Sequence, residues 1–311
     1  MLDSAGRFAP SPSGDLHIGN VRTGILAYLW ARGTGRGFRW RIEDLDRVSP
    51  GAAERQLEEF RALGLEIDGP IVRQTQRIEH YAAACARLDE QGLVYECYCS
   101  RKDIQSAPSA PHAPPGAYPG TCRDLAEDER IAARARLERA GRAPALRLRT
   151  TTAQRPVVDE VLGTLTAHID DVVLRRGDGV WAYNLAVVVD DAAMGIDQVV
   201  RGDDLASSAP RQALLCDLLG LPVPAYAHVP LVLNPAGARL AKRDGAVTLE
   251  QLRAQRFDVW AWMGESLGFG RWMDLDDALA SFDPAGIRRE ATVFDPPPLT
   301  PAETEPPANR R

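Results

Sequence analysis

The chain has 311 residues, of which 45% are hydrophobic, and its formal net charge at pH 7 is −6, so it can supply two domains with sizeable cores. It has no apolar run long enough to cross a bilayer. Its acidic balance argues against a surface that binds nucleic acid throughout, although unevenly spread arginines leave room for a local basic face. An odd cysteine count of 5 and the lack of an export signal predict a reducing compartment, so we expect a cytoplasmic protein with no membrane partner.

Short extended runs alternate with amphipathic runs over residues 1–94. The segment GNVRTGILAYLWARG predicts a helix with one apolar face, and FRWRIEDLD predicts a strand that ends in an acidic turn. A further helix is predicted in RIEHYAAACARLDEQG, where Gly92 closes it. This alternation predicts an α/β fold with a parallel sheet.

The composition changes over residues 95–180, which we interpret as an insertion into the sheet domain. Cysteines cluster at Cys97, Cys99 and Cys122 around a stretch rich in proline, alanine and glycine, and an Arg/Glu-rich helix with short strands is predicted after it. Three cysteines leave a tetrahedral zinc site one ligand short, and general zinc chemistry offers His112 as the fourth ligand. The alternative is three reduced cysteines in an irregular insert.

The sheet is predicted to resume over residues 181–235. The run WAYNLAVVVDDAAMGIDQVVRGDDL indicates two apolar strands, APRQALLCDLLG indicates a helix, and AHVPLVLN indicates a further strand. Residues 236–285 would form a basic, glycine-bearing loop and an amphipathic helix, and the proline-rich residues 286–311 are predicted to be a disordered tail. Cys85 and Cys216 lie on apolar faces of predicted helices and are expected in the core.

The loop RFAPSPSGDLHIGN, which runs from Arg7 to Asn20, leads into the first predicted helix. A helix N-terminus suits a phosphate because its backbone N–H groups are unpaired and its dipole end is positive. His17 can donate a hydrogen bond to a phosphate oxygen there, and Gly19 lets a flat ring or a sugar approach the backbone. Taken alone, this His-x-Gly tripeptide is better explained as a simple turn before a helix.

Two further features favour a ligand site. The segment ARLAKRDGA places Lys242 and Arg243 beside glycines, which is typical of a mobile basic loop that closes on a polyphosphate, although a solvated surface turn has the same composition. The strand end WRIED carries Glu43 and Asp44 at the expected carboxyl edge of the sheet, where parallel α/β folds bind their ligands.

Four blocks of the sequence resemble, in the same order, the glutamyl and glutaminyl branch of the class I aminoacyl-tRNA synthetases. The blocks are FAPSPSGDLHIGN, RIEDLD, YNLAVVVDDAAMGIDQVVRGDDL and RLAKR, and the resemblance covers residues 6–249. It implies a ligase with a Rossmann-type parallel sheet domain in two halves, residues 1–94 and 181–235. It also implies a zinc-bearing insertion at residues 95–180 and a short C-terminal helical region at residues 236–285 that contacts an RNA stem.

The resemblance implies that His17, Gly19 and Lys242 form the catalytic ATP site, with Arg243 as a further ATP contact and Mg²⁺ bound with the nucleotide. The family's signature loop usually reads Lys-Met-Ser-Lys-Ser, whereas this chain reads RLAKR from Arg239. The second lysine is kept, but alanine and arginine replace the serines, so the usual hydroxyl hydrogen bonds to phosphate are lost.

The same resemblance implies a pocket for L-glutamate, which carries two carboxylates and one ammonium group. Two arginine forks suit the carboxylates and one acid suits the ammonium, while glutamine would have less need for two arginines. The expected glutamate contacts are Arg7, Phe8, Ala9, Pro10, Ser11, Glu43, Tyr183 and Arg201.

The resemblance names Tyr118, rather than His112, as the fourth metal ligand. Together with Cys97, Cys99 and Cys122 it would complete a Cys-x-Cys…Tyr-x₃-Cys site for one structural Zn²⁺ per chain. The phenol, whose ordinary pKa is about 10, must lose its proton in the field of the metal.

The chain after Lys242 is short, and no anticodon-reading module of a full-length glutamyl-tRNA synthetase fits in it. The chain therefore resembles a truncated branch of that family that attaches glutamate to the queuosine base of tRNA(Asp). We expect a monomer whose partners are ATP, L-glutamate and queuosine-containing tRNA(Asp).

Two alternative functions stay open. One is a short enzyme that charges tRNA(Glu), and the other is a non-catalytic synthetase-like module that binds RNA or an amino acid, favoured only by the altered signature loop. A strip of arginines on one predicted helix could contact RNA or be an ordinary solvated face. This strip consists of Arg130, Arg134, Arg136 and Arg139.

Overall fold

The computed structural model describes residues 4–106, 117–240 and 247–296. The strands, in chain order, are β1 (Ala5–Phe8), β2 (Gly37–Ile42), β3 (Val72–Arg73), β4 (Val94–Cys97), β5 (Ala145–Leu148), β6 (Val157–Asp159), β7 (Gly163–Leu165), β8 (Val173–Arg175), β9 (Ile196–Gly202), β10 (Ala225–Val229), β11 (Val232–Leu233) and β12 (Thr292–Val293). The helices are α1 (Ile18–Gly33), α2 (Ala52–Arg61), α3 (Ile78–Glu90), α4 (Arg101–Ser106), α5 (Glu127–Arg139), α6 (Tyr183–Ala193), α7 (Ala209–Leu219), α8 (Leu249–Ala254), α9 (Val259–Leu267) and α10 (Leu275–Ser281). Within these described ranges, none of the helices has the length and apolar character that a bilayer crossing requires.

The chain folds as two compact units, each built from segments that are distant in sequence. The first unit contains residues 4–72, 198–204 and the described part of residues 227–296. The second unit contains residues 205–226 and the described part of residues 73–197. Both units combine helices with strands, so the predicted mixed α/β class is confirmed.

The first unit is built on a sheet with the strand order β2-β1-β9-β10. Strands β1 and β2 run parallel, as predicted, and Phe8 lies opposite Trp40 in their register. The ring of Phe8 contacts Trp40 edge-on at 5.3 Å between centroids and stacks on Phe60 of α2 at 5.5 Å. Each large aromatic ring that is buried in this way contributes about 2 kcal/mol, so this cluster fixes α2 against the sheet.

The predicted first helix is confirmed as α1, and a buried arginine anchors it. The guanidinium of Arg22 donates to the carbonyl of Pro230, which follows β10, and donates to Thr292 Oγ1 of β12 at 3.0 Å. Its side chain is 2% exposed, and burial lowers the pKa of Arg22 to about 10, although the Asp203 carboxylate opposes this shift. The charged group therefore joins the N-terminal part of the helix to two distant strands.

The second unit contains an antiparallel sheet in the order β4-β5-β8 and the hairpin β6–β7. Its helices α3, α6 and α7 contact one another. Asp190 of α6 is fully buried and accepts hydrogen bonds from Gln74 Nε2 at 2.9 Å, from Tyr81 OH at 2.8 Å, and from Arg77 Nε. This carboxylate fastens α6 to α3 and to the turn before it. Cys85 and Cys216 are buried in this unit, as expected.

Three predicted elements differ from the structure. The segment Tyr183–Ala193, predicted as a strand, is the helix α6, because its apolar run packs on α3 and α7 and this burial outweighs the strand preference of three successive valines. The single strand predicted in AHVPLVLN is divided into β10 and β11 at Pro230, which has no N–H to donate to a ladder. The single C-terminal helix is divided into α8 and α9, and Arg256 between them has a φ of 55°.

Some predicted features fall on residues that the structure does not describe. Lys242 and Arg243 of the basic loop lie outside the described residues, as do His112 and residues 297–311. The described chain continues through β12, which pairs in parallel with β11, to the buried ring of Phe294.

The surroundings of Glu59 on α2 disfavour the ionised form of its carboxyl group. Burial raises the pKa of Glu59 to about 7, the nearby Asp15 carboxylate adds to the rise, and the backbone N–H of Leu16 opposes it. Within the described chain, the Oε2 atom of Glu59 is buried and has no hydrogen-bond partner. The folded state therefore binds this proton more tightly than the unfolded state does, so stability is fully present below the ordinary pKa near 4.5 and falls as the pH rises through about 7.

We expect Glu59→Gln to raise the free energy of unfolding at pH 8 by about 1 kcal/mol more than it does at pH 5. This figure is discounted because solvent partly screens the carboxylate. The amide keeps an acceptor for the Leu16 N–H but never ionises. Urea unfolding at both pH values measures the difference, and Glu58→Gln, an exposed change on the same helix, is the control. An equal stability change at the two pH values would contradict this account.

Candidate functional site

The ends of three strands in the first unit carry charged side chains. Arg7 precedes the last residue of β1, Glu43 directly follows β2, and Arg201 precedes the last residue of β9. Arg7 and Arg201 are each 4% exposed. Because β2, β1 and β9 are neighbours in the sheet, these groups share its carboxyl edge, which is where ligands bind in such folds.

Two of these side chains are held by residues that the sequence analysis did not single out. Arg41 has a fully buried guanidinium that pairs with Glu43 Oε1 at 3.1 Å. Arg201 donates from Nε to Nε2 of His228, which is fully buried on β10, at 2.9 Å. The Arg-x-Glu spacing in WRIED was a possible signal for the first pair. The second pair is 27 residues apart and has no local signal.

The predicted phosphate-binding turn forms the N-terminus of α1. His17 caps this helix, because its Nδ1 atom accepts a hydrogen bond from the backbone N–H of Asn20 at 3.3 Å. A neutral imidazole that accepts at Nδ1 carries its proton on Nε2, so Nε2 is the donor atom. A Cβ atom at Gly19 would lie 3.1 Å from Nδ1 and Cε1 of His17 and 3.3 Å from Cβ of Val232, so glycine preserves this cap.

The loop between β1 and α1 is fixed by backbone contacts. The side chain of Phe8 packs in the core, so only its backbone is available at the sheet edge. The carbonyl of Pro10 accepts a hydrogen bond from the Glu43 N–H at 3.1 Å. The buried amide of Gln56 donates to the carbonyl of Ser11 at 3.2 Å and to that of Gly14 at 2.6 Å. Ala9 is half-buried and the Ser11 side chain is exposed.

Both flanks of the predicted signature loop lie in the first unit. On the N-terminal flank, Arg239 forms an ion pair with Asp204, which follows β9, and Leu240 donates to the carbonyl of Val232 at 3.4 Å. On the C-terminal flank, Thr248 forms a β-bridge with His17 and caps α8. The described chain therefore stops two residues before Lys242 and resumes beside the helix cap.

Tyr183, the remaining predicted glutamate contact, lies in the second unit. It is the first residue of α6 and is half-buried. The buried Asp190, two turns further along, anchors this helix as described above.

The cysteine cluster in the second unit brings four potential ligand atoms together. The Sγ atoms of Cys97, Cys99 and Cys122 all lie within 4.8 Å of one another, and Cys99 and Cys122 are 3.5 Å apart. The phenol oxygen of Tyr118 is 3.5 Å from Cys97 Sγ and accepts the backbone N–H of Cys122 at 2.8 Å. A tetrahedral zinc ion separates two sulfur ligands by roughly 3.8 Å and a sulfur from an oxygen by roughly 3.5 Å, so these residues fit such an ion.

The electrostatics of the cluster differ from one sulfur to the next. A hydrogen bond from Cys122 and the nearby Arg147 lower the pKa of Cys97 against the opposing effect of burial. The hydrogen bond with Cys97 and burial raise the pKa of Cys122, and burial raises the pKa of Cys99, so these two thiols would need a metal ion to lose their protons. Burial raises the pKa of Tyr118, and the guanidinium of Arg147 lies 3.7 Å from the centre of the Tyr118 ring. The phenol would therefore ionise only with a strong positive charge next to its oxygen.

The arginine strip predicted on the insertion helix lies on α5 and is partly neutralised. Arg134 pairs with Glu96 at 2.7 Å, and Arg130 pairs with Glu127. Arg139 donates to the carbonyl of Ala135 at 3.2 Å. These contacts are typical of a solvated helix face, and exposed arginines in this arrangement can also reach an RNA backbone.

Comparison with known proteins identifies related sequences and structures. The family described as "tRNA synthetases class I (E and Q), catalytic domain" matches residues 5–263. A protein from Nocardia farcinica named glutamyl-Q tRNA(Asp) synthetase is 59% identical over 296 residues, which cover 94% of this chain and 94% of the relative. A protein of the same name from Cutibacterium acnes is 47% identical, covering 96% of this chain and 86% of the relative. The structure of the glutamate-tRNA synthetase from Elizabethkingia anophelis matches with a TM-score of 0.76 and 25% identity, covering 94% of this chain and 68% of that one.

Proposed function

This chain belongs to the catalytic-domain family of the class I glutamyl- and glutaminyl-tRNA synthetases, and we propose that it activates L-glutamate with ATP and transfers the glutamate to queuosine in tRNA(Asp). The family predicted from the four motif blocks is thereby confirmed. The observation that carries the proposal is the 59% identity, over nearly the full length of both chains, to a protein named glutamyl-Q tRNA(Asp) synthetase.

The charges at the carboxyl edge support glutamate as the amino acid. Arg7 and Arg201 present planar guanidinium groups from a buried setting, where ion pairs with a carboxylate are strongest. Glu43, held by Arg41, would bind the ammonium group of the substrate. Ser11 and Tyr183 would add hydroxyl hydrogen bonds, and the backbone of residues 8–10 would line the pocket.

The N-terminus of α1 supports ATP as the second substrate. In the activation step a carboxylate oxygen of glutamate attacks the α-phosphorus of ATP, a phosphorus–oxygen bond to pyrophosphate breaks, and glutamyl-adenylate forms. His17 Nε2 and the backbone N–H groups near Gly19 would hold the phosphates during this step. Lys242 and Arg243 are assigned to the same phosphates by family resemblance, and Mg²⁺ would neutralise charge on the nucleotide.

In the transfer step a hydroxyl of queuosine's cyclopentene ring would attack the carbonyl carbon of the adenylate. An ester bond forms, the bond to phosphate breaks, and AMP leaves.

We expect the enzyme to act in the cytoplasm, where its RNA substrate and ATP are found. Cys97, Cys99, Tyr118 and Cys122 would hold a structural Zn²⁺, which would join β4 to the segment that precedes α5.

His17 can be tested for two separate roles. Asparagine is an equally good N-cap, so we expect His17→Asn to keep the stability within about 0.5 kcal/mol, whereas His17→Ala should lose about 1 kcal/mol. Both variants lack the Nε2 donor, so both should lower kcat for glutamate-dependent ATP–pyrophosphate exchange by about 10²-fold. Exchange by His17→Asn at the wild-type rate would refute the phosphate contact.

The zinc assignment is tested by metal analysis of the purified protein. We expect one zinc ion per chain. Cys122→Ser should lose the ion and unfold at a temperature lower by on the order of 10 °C, because metal binding stabilises the fold directly. Cys216→Ser, which changes a buried thiol outside the cluster, should keep the ion. A wild-type chain without zinc, purified from zinc-supplemented cells, would disprove the assignment.

The RNA substrate is tested with labelled glutamate, ATP and Mg²⁺ and three purified RNAs. These RNAs are tRNA(Glu), tRNA(Asp) without queuosine, and tRNA(Asp) with queuosine. We expect label only on the third RNA. Label on tRNA(Glu) would instead identify a short charging enzyme, and no glutamate-dependent pyrophosphate exchange with any of them would identify a non-catalytic binding module.

A further inference from the structure

The hydrogen bond between Arg201 and His228 joins two buried side chains at the carboxyl edge of the first unit's sheet. Arg201 lies one residue before the end of β9, and His228 lies one residue before the end of the neighbouring strand β10. The donor–acceptor distance from Arg201 Nε to His228 Nε2 is 2.9 Å. His228 is fully buried and Arg201 is 4% exposed, so solvent does not substitute for either partner.

The donor in this pair determines the protonation state and the tautomer of the His228 imidazole. The Nε–H group of arginine can only donate, so His228 Nε2 must present a lone pair. The imidazole is therefore neutral and carries its proton on Nδ1. A doubly protonated ring would place an N–H group and a positive charge against the guanidinium.

The Nε–H bond also controls the direction of the whole guanidinium. This bond lies in the guanidinium plane, together with the four N–H bonds of the two terminal nitrogens. An acceptor that fixes the Nε–H direction therefore fixes the plane in which a carboxylate would be bound. Side chains that orient a ligand-binding group in this way typically change affinity by 10- to 100-fold when they are replaced, as measured at metal sites.

We propose that His228 is a positioning residue for glutamate recognition, which orients the guanidinium of Arg201 through a neutral acceptor atom. The Asp203 carboxylate interacts electrostatically with His228, so the imidazole, rather than a carboxylate, is the group that accepts the Arg201 Nε–H. The inference rests on the proposed function, in which Arg201 binds a substrate carboxylate. The pairs Arg41–Glu43 and Arg77–Asp190, in each of which one partner is fully buried, use an acidic acceptor, which reduces the local positive charge. A neutral acceptor at Arg201 preserves the attraction for a carboxylate.

Two amide variants of similar polarity separate orientation from general packing. The Oε1 atom of glutamine can reach the position of the imidazole Nε2, whereas the shorter asparagine reaches only the position of Nδ1. We expect His228→Gln to keep the KM for glutamate in ATP–pyrophosphate exchange within about threefold of wild type, and His228→Asn to raise it by about 10- to 100-fold. The KM for ATP and the melting temperature should change equally in both variants, because both place a similar amide in the same buried site.

A purely structural role would change the melting temperature and leave the KM for glutamate equal in the two variants, and this result would overturn the proposal. Nitrogen-15 NMR of the wild-type protein labelled at histidine gives an independent readout, with His228→Gln used for assignment. An unprotonated Nε2 is expected, and a proton on that atom would also overturn the proposal, even if His228→Asn does not fold. A wild-type protein that shows no exchange with glutamate would contradict the proposed function instead, while the NMR result would still test the hydrogen bond.

Discussion

Burial of guanidinium groups at the carboxyl edge of one sheet is the constraint that organises the first unit. Arg7, Arg41 and Arg201 are each at most 4% exposed, and a charge removed from water is costly unless it is paired and hydrogen-bonded. A buried guanidinium group therefore needs a hydrogen-bond acceptor beside it. Arg41 has a carboxylate, Glu43, and Arg201 has the neutral ring of His228. The same burial would strengthen the proposed ion pairs of Arg7 and Arg201 with a substrate carboxylate, because the surroundings screen the charges weakly.

The N-terminus of α1, which is the proposed phosphate site, directly follows the loop that leaves β1 at this edge. His17 satisfies a backbone N–H of the helix with its Nδ1 atom, so the proposed phosphate contact, through Nε2, would come from a residue that also caps the helix. The β-bridge from His17 to Thr248 and the ion pair from Arg239 to Asp204 fix the two flanks of the signature loop. Both anchors lie in the first unit, so the residues on either side of the signature loop are tied to the same sheet and helix cap.

The sequence predicted the first unit better than the second, for physical reasons. Helix α1 and strand β2 are apolar runs bounded by nearby turn residues, so local patterns were sufficient to find them. Both are buried on nearly every side, so the single apolar face predicted for α1 was wrong. Helix α6 was predicted as a strand because its valines favour strands locally, and only packing on α3 and α7 makes it helical. The candidate ligand contacts could be proposed from the sequence because they lie in contiguous motifs. Residues that support them, such as His228, contact their targets across 27 positions, and a single sequence carries no sign of such a contact.

The cysteine cluster addresses a different problem, the stability of a small core. The buried residues around it in the second unit are Cys97, Tyr98, Tyr118, Cys122 and Leu137. Partly buried side chains such as Ile104 and Leu125 pack against them, but the apolar core that holds a strand, an irregular segment and a helix together is still small. The spacings of the Tyr118 oxygen and the three sulfur atoms fit a tetrahedral site, and Arg147 would offset the negative charge that these groups carry when they bind a metal. Bonds to a metal would thus replace hydrophobic burial as the source of stability, which explains why polar ligand atoms occupy the centre of this core.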